Sequence, residues 1–410
     1  MEFSMIKKEK ISAVTSLIFK WTVLIISAVA IGAICGAVGA AFAKSIGFVT
    51  DLRAKNEWII FLLPFGGLAS VGLYKLTKTE GIGTDRALES ATGKSETPIL
   101  LMPVIFVSSV ITHLFGGSAG KEGAALQLGS GASEIVSKII KADTKTHSAL
   151  AICGMAALFS AVFGTPVGAS VFALEVAVIG SMNALAVFPS IISSITAYCI
   201  STAMGVIPER FHIGDVPDFG IPALLRTLGV AVVVSLAAGL FCNMLHSGEK
   251  LAAKVFKNPF LRIFAGGCAV IILTLIFGTD YNGGGMFVVE RIFEEKTVLP
   301  EAFLLKIIFT VVTVSAGYKG GEIVPSFFIG ATLGATLASV FGLPVSLCAA
   351  IGMTAFFGCV TNCPIASAVI AVELFGAEGL ILFAAAAFIS RVIFAKTSLY
   401  HKQNTEGLNC

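Results

Sequence analysis

Long apolar runs separated by short polar stretches dominate this chain. Six runs approach or exceed the roughly 20 residues that a helix needs to cross a bilayer, at residues 19–42, 58–73, 98–114, 183–204, 221–245 and 261–277. Shorter apolar segments interrupted by glycine lie between and after them, at residues 79–88, 116–136, 164–180, 280–293, 317–338 and 361–379. Helix breaks at membrane depth are tolerated only where the backbone is buried in protein or lines an aqueous cavity. The pattern therefore predicts an all-α polytopic membrane protein whose broken helices converge on a central site.

The chain consists of two related halves. Residues 154–175 and 352–373 align without gaps and share nine identical positions, among them Gly154 with Gly352, Pro166 with Pro364 and Glu175 with Glu373. In a membrane protein, interrupted segments at matching places of two repeats are the best pointer to an ion or substrate site. The repeat therefore predicts transport.

The repeat also divides the chain. We predict a cytoplasmic N-terminal segment at 1–16, a first membrane repeat at 17–207, a polar connection at 208–222, a second membrane repeat at 223–400 and a tail at 401–410. Lys7, Lys8 and Lys10 precede the first span and favour a cytoplasmic N-terminus. An odd number of spans in each half would make the two repeats inverted.

Composition supports a membrane protein and excludes other classes. The 410 residues are 56% hydrophobic and 13% charged, against about 25% charged residues in soluble domains, and the mean hydropathy is +0.92. A net charge of +3 gives no reason to expect a nucleic-acid partner. No metal-ligand spacing, nucleophile elbow or phosphate loop stands out, so we predict neither a cofactor nor an enzyme.

The candidate chemistry centres on two glutamates. Glu122 lies between Gly120 and Gly123, at the predicted start of a helix. Free N–H groups and the helix dipole form an anion site at such a start. A carboxylate can occupy this site and, once protonated, leave it, which would couple proton movement to anion movement. The alternative is a first-turn glutamate that only the dipole favours.

Glu322 stands in a similar glycine-rich segment, before Pro325 and another apolar helix. Its alternative role is to satisfy a neighbouring helix end. We expect Glu175 and Glu373 to have a structural role, tying helices together across the pseudo-symmetry axis. His113 is predicted to be a satisfied core histidine, with proton relay as the alternative.

These segments resemble the CLC family of anion channels and anion/proton antiporters. The sequence GKEGA at 120–124 is similar to the family motif G-[KR]-E-G-P, and GEIVP at 321–325 takes the place of the motif G-x-F-x-P. Tyr400 falls where the family places its pore tyrosine. The resemblance implies the CLC-type fold, with two inverted repeats of tilted and discontinuous helices, and a homodimer in the lipid bilayer with one pore per subunit.

Within the family the chain is most similar to the fluoride/proton antiporter branch, which also carries a glutamate at the position of Glu322. The resemblance implies fluoride export driven by the proton gradient, across the plasma membrane or bacterial inner membrane. Glu122 and Glu322 would then gate the pathway and couple protons. The implied anion-binding residues are Gly120, Lys121, Gly123, Ile82, Gly83, Ile323, Val324 and Tyr400.

The chain departs from the fluoride branch in two places. Threonine is usual where this chain has Val324, and residues 81–83 lack the expected methionine or asparagine. Three alternatives stay open: a chloride/proton antiporter of the same fold, a passive anion channel, and a membrane scaffold with a vestigial pore.

Overall fold

The computed structural model describes residues 2–178, 183–393, 398–400 and 403, leaving out the side chains of residues 2–14 and 16. In these ranges the chain forms sixteen α-helices. The first eight are α1 (Glu2–Lys55), α2 (Leu63–Leu76), α3 (Thr84–Ala91), α4 (Leu101–Leu114), α5 (Glu122–Ile139), α6 (Thr144–Phe163), α7 (Pro166–Ala177) and α8 (Val187–Ala203). The second eight are α9 (Ile221–Val255), α10 (Pro259–Phe277), α11 (Met286–Glu295), α12 (Ala302–Ala316), α13 (Ile323–Phe341), α14 (Val345–Thr361), α15 (Pro364–Phe375) and α16 (Leu380–Ile393).

Each of the six predicted spans coincides with a helix, although not every one is long enough to cross a bilayer. α1, α2 with the turn before it, α9 and α10 are long and apolar enough, whereas α4 and α8 are shorter. Helices α6 and α13 also qualify, although neither was predicted as a span. Their most apolar windows are 89% and 78% buried inside the protein, against 22% for α10. Small and hydroxylated side chains suit helices that face other helices, and they dilute the apolar signal that lipid-facing spans give.

Glycine pairs hold the central helices together in both repeats. A Cβ atom on Gly129 of α5 would overlap the carbonyl oxygen of Gly154 on α6, and one on Gly154 would overlap that of Gly129. Gly330 of α13 and Gly352 of α14 stand in the same mutual relation. Gly154 and Gly352 are aligned in the two halves of the sequence, so the repeat preserves the places where two backbones touch.

The ends of α7 and α15 are joined reciprocally. The Glu175 carboxylate, near the end of α7, accepts hydrogen bonds from two N–H groups at the start of α15 (3.2 and 2.7 Å). The Glu373 carboxylate, near the end of α15, accepts two from the start of α7 (3.1 and 2.7 Å). The predicted structural role of both glutamates is confirmed. Because these equivalent helices run antiparallel, the two repeats are inverted.

The predicted domain boundaries fall on segments of different kinds. Helix α1 continues without a break past residue 16, whereas residues 208–220 form neither helix nor strand and α9 begins at Ile221, inside the predicted connection. Arg210 in this connection donates to the carbonyl oxygen of Gly164 (3.0 Å), between α6 and α7. Of the predicted tail at 401–410, all residues except Gln403 lie outside the described residues. The connection packs against both repeats, because the Phe211 N–H also donates to the carbonyl oxygen of Leu374 on α15 (2.9 Å).

Candidate anion site

The starts of α5 and α13 meet at the centre of the molecule through a pair of glycines. Gly120 and Gly321 each donate their N–H to the other's carbonyl oxygen, at 2.6 Å in both directions. A Cβ atom on Gly321 would overlap the Gly123 nitrogen, and one on Gly123 would lie 3.0 Å from the Gly321 Cα. These positions require glycine because a side chain would push the two helix starts apart.

This pairing corrects the sequence comparison of the two glutamates by one residue. Lys121 and Glu322 are the residues that precede α5 and α13, with almost the same backbone angles (φ −97°, ψ −12° and φ −99°, ψ −8°). Glu122, the first residue of α5, therefore corresponds to Ile323, and Glu322 corresponds to Lys121. The repeat places a cation before one helix and an anion before the other.

Glu122 is fully buried, and its carboxylate reaches the other repeat. Its Oε2 atom accepts a hydrogen bond from the N–H of Val324 (3.2 Å), the second residue of α13. Its Oε1 atom has no hydrogen-bond partner among the described residues. The sequence predicted an anion site at the start of the glutamate's own helix, but the carboxylate occupies the start of α13.

The predicted anion-binding residues around Glu122 come together in space. A Cβ atom on Gly120 would overlap Glu122 Oε2 and would lie 3.0 Å from the Val324 Cβ. Ile323 and Val324 are buried at the start of α13. Gly120, Gly123, Ile323 and Val324 therefore form a wall of backbone around the carboxylate.

Lys121 points away from this wall and into a cavity of about 260 Å³ that Gly120 and Val324 also line. Its Nζ lies 3.2 Å from Glu209 Oε1, in the polar connection between the repeats, and 5.6 Å from the centre of the Phe163 ring. Lys319, in the second repeat, instead lies 4.6 Å from the centre of the Tyr74 ring. Among the predicted anion-binding residues, Lys121 thus has a carboxylate, that of Glu209, as its partner.

Ile82 and Gly83 lie just before α3, whose start contacts α5. Thr84, the first residue of α3, accepts a hydrogen bond from Gln127 of α5 (3.2 Å), and its hydroxyl would lie 3.3 Å from a Cβ atom on Gly123. Among the described residues, no atom outside Gly83 and its two neighbours lies within 4 Å of a Cβ atom built on Gly83. The segment adjoins the start of α5 and leaves open space at Gly83.

Tyr400 and Glu322 complete the predicted set. Tyr400 is buried, and its hydroxyl has no hydrogen-bond partner in the described part of the chain. The Gln403 side chain fixes this segment by donating to the Thr361 carbonyl oxygen (2.8 Å) and accepting from the Ser398 hydroxyl (2.7 Å). Glu322 is half-buried at the residue before α13.

Two further cations were not singled out from the sequence: Arg53, which lines the same cavity, and Lys306, which binds the segment just before the lining residues Gly284 and Gly285. Arg53, near the end of α1, donates to the His113 carbonyl oxygen (2.5 Å). Lys306 in α12 is fully buried and donates to the Tyr281 and Gly283 carbonyl oxygens (3.0 and 2.7 Å). A charged residue within the apolar stretch 302–316 was the available signal, because such residues are rare in membrane helices. Nothing local marked Glu209 or Gln403.

His113 belongs to the core. It is buried, and its ring Nδ1 donates to the carbonyl oxygen of Ser109 (2.8 Å), one turn earlier on α4. His113 also borders the cavity.

Comparison with known families identifies the architecture. The family model "Voltage gated chloride channel" matches residues 65–395, most of the chain. The chain belongs to the CLC family. This CLC chain is 32% identical over 396 residues to a chloride/fluoride channel protein of Pseudomonas syringae pv. tomato, covering 94% of the chain and 86% of the relative.

Solved structures agree with this assignment. The chain superimposes on a crystal structure of a CLC-type fluoride/proton antiporter with a TM-score of 0.91 and 31% identity, covering 95% of this chain and 99% of the other. A slow cyanobacterial Cl⁻/H⁺ antiporter gives a TM-score of 0.78 at 17% identity, covering 92% and 96%. The second likeness concerns the fold alone. The predicted fold class and family are confirmed.

Proposed function

We propose that this chain is a fluoride/proton antiporter that exports fluoride by using the proton gradient. The observation that carries the proposal is the Glu122 carboxylate at the start of α13, where it accepts the Val324 N–H. An anion on the pathway would use the same donor, so carboxylate and anion exclude each other. Protonation neutralises the carboxylate and releases the donor. One side chain thus links the two movements.

Fluoride is small and strongly hydrated, so a site that removes its water must supply dense hydrogen-bond donors. Two helix starts that meet at Gly120 and Gly321 offer such donors without a fixed cation. In this mechanism Glu322 provides a second protonatable group, and the Tyr400 hydroxyl donates to the anion. The Tyr400 hydroxyl has no hydrogen-bond partner among the described residues, which supports this role.

A chloride/proton antiporter is the second candidate. Val324 favours it, because its side chain brings no hydroxyl donor to the start of α13, where the fluoride branch usually has threonine. A passive anion channel is the third candidate, and it would need no link between Glu122 and protons.

We further propose a homodimer with one pore per subunit, located in the plasma membrane or bacterial inner membrane, on the strength of family membership. CLC proteins are channels and transporters, so we assign no enzymatic activity. The basic N-terminal tract supports a cytoplasmic N-terminus. Helix α1 is long enough to cross the membrane, so a cytoplasmic N-terminus puts Arg53, near the other end of α1, on the outside. Arg53 and Lys121 line the same cavity, and we therefore call this cavity the outer vestibule.

Ion flux from liposomes tests the proposal. Purified protein would be reconstituted, and fluoride, chloride and pH electrodes would be read in parallel. We expect fluoride efflux with opposite proton movement. Glu122→Gln should abolish proton coupling, because an amide keeps the shape of the side chain but cannot exchange a proton.

Two results would contradict the fluoride/proton assignment. Chloride efflux at a comparable rate would favour the second candidate. Anion flux that ignores the proton gradient, with Glu122→Gln unchanged from the wild type, would favour the channel.

A further inference from the structure

The outer vestibule contains an ion pair that the proposed exchange cycle does not use. The cavity joins both repeats and the connection between them, since Lys121 comes from the first repeat, Glu209 from the connection and Glu290 from the second. Gly120 and Val324, which border the Glu122 carboxylate, also line it. An anion that leaves the Glu122 position on this side must therefore pass Lys121.

Lys121 and Glu209 are held together in a partly dry setting. Their Nζ and Oε1 atoms lie 3.2 Å apart, and the two side chains are only 19% and 20% exposed. The second oxygen of Glu209, Oε2, is buried without a hydrogen-bond partner in the described part of the chain. The lysine is therefore the hydrogen-bonding partner that the structure gives this carboxylate.

The surrounding charges do not replace this pair. Arg53 on α1 is engaged with the carbonyl oxygen of His113, and the cavity is also lined by Asp51 on α1 and Glu290 on α11. Lys121 is thus the cation adjacent to Glu122, and Glu209 is the anion bound to it. A mobile anion in the vestibule has to compete with a tethered carboxylate for the same ammonium group.

We propose that Glu209 sets the anion affinity of the outer vestibule by competing with the transported anion for Lys121. With Glu209 bound, the lysine attracts an anion only weakly, so an anion that has passed Glu122 leaves readily. Without Glu209, the lysine would bind the anion more tightly in the outer vestibule. The inference rests on the proposed function in that an anion passes Glu122 and that the cavity faces the outside; the identity of the anion does not affect it.

Titration of the purified protein in detergent with sodium fluoride, followed by calorimetry, gives the first test. Glu209→Gln should lower the dissociation constant about two- to five-fold, the range expected for a partly exposed ion pair. Glu209→Asp, which keeps the charge, should stay close to the wild type. Lys121→Met should raise the dissociation constant, and Glu209→Gln should have no effect in the Lys121→Met background.

A matched control separates competition from a general field effect. Glu290→Gln removes one negative charge from the same cavity but no ion pair with Lys121, so its effect should be clearly smaller than that of Glu209→Gln. Equal shifts for Glu209→Gln and Glu290→Gln would overturn the proposal. An effect of Glu209→Gln that persists in Lys121→Met, or a raised dissociation constant, would overturn it as well.

Flux provides an independent readout. Fluoride added to the outside should inhibit efflux at a concentration about two- to five-fold lower in Glu209→Gln than in the wild type. The reason is that exported fluoride leaves the outer vestibule more slowly in this variant. If the wild type carries chloride instead, the proposed function fails, and the same titrations with chloride decide the role of Glu209. Coupled fluoride exchange with no change in Glu209→Gln would leave the function standing and refute the competition.

Discussion

At the scale of single residues, the central event is competition for one backbone N–H. Val324 is the second residue of α13, so its N–H lacks an acceptor within the helix. Glu122 fills that place with a carboxylate oxygen. The donor belongs to the backbone, so its position does not depend on a side-chain rotamer. The side chain of Val324 can therefore be changed without removing the donor.

Val324→Thr should raise the ratio of fluoride to chloride flux. The two side chains have nearly the same shape, but threonine adds a hydroxyl donor next to the N–H that Glu122 occupies. One net hydrogen bond is worth about 0.5–1.5 kcal/mol, so we expect a change of about two- to ten-fold in favour of the more strongly hydrated fluoride. Both fluxes would be measured on the same vesicles.

Val324→Ala serves as the control, because it removes apolar atoms without adding a donor. A fluoride-to-chloride ratio that falls in Val324→Thr, or that rises equally in Val324→Ala, would show that the hydroxyl does not determine selectivity.

At the scale of helices, the ends of α7 and α15 depend on each other. The first N–H groups of a helix need acceptors, and here the carboxylates of Glu175 and Glu373 supply them from the opposite repeat. Pro166 and Pro364 stand at the first position of each helix, where proline is well tolerated. Both the proline at the helix start and the glutamate near the helix end are identical in the two aligned segments of the sequence.

Glu175→Ala should lower the stability of the protein by about 1–3 kcal/mol for each buried N–H group left without an acceptor. Glu373→Ala should cost less, because Glu373 is only half-buried. The stability of Glu175→Gln should lie between that of the wild type and that of Glu175→Ala, since the amide oxygen still accepts a hydrogen bond. Thermal unfolding of the purified proteins in detergent, followed by fluorescence, would rank the three. An unchanged midpoint in Glu175→Ala would contradict the structural role.

The sequence allowed the glycine-flanked helix starts to be predicted, because glycine and charge are conspicuous in an apolar chain. The one-residue offset between Glu122 and Glu322 was not accessible. It depends on the pairing of Gly120 with Gly321, residues that are about two hundred positions apart, and motif spacing does not record which glycines touch. The identity of the donor to Glu122 was hidden for the same reason.

At the scale of the whole molecule, Gln403 joins the two repeats near Tyr400. Its Nε2 donates to the carbonyl oxygens of Thr361 and, at 3.4 Å, of Val176, while its Oε1 accepts from Asn362 and Ser398. Both donors and the acceptor of the amide are used. A glutamine after a tyrosine gives no such signal in the sequence, because its partners come from distant helices.

Gln403→Met should slow anion flux several-fold and lower the thermal midpoint, because it leaves two helix-end carbonyl oxygens without donors and frees the segment that carries Tyr400. Gln403→Glu should be at least as damaging, since it places a carboxylate against those carbonyl oxygens. Flux and thermal unfolding would be measured on the same preparations. If Gln403→Glu retained full activity, donation by the amide would not be what positions Tyr400.

The reciprocal carboxylates of α7 and α15 also constrain how the protein is made. The N–H groups of Val167 and Gly168 at the start of α7 donate to Glu373, about 206 residues further along the chain. When the first repeat leaves the ribosome, Glu373 has not been synthesised, so these two N–H groups lack the acceptor that they have in the finished protein. Unpaired backbone groups are costly in lipid. We therefore expect the first repeat to remain near the membrane insertion machinery until most of the second has been synthesised, and a chain truncated before residue 373 to be recognised as unfinished.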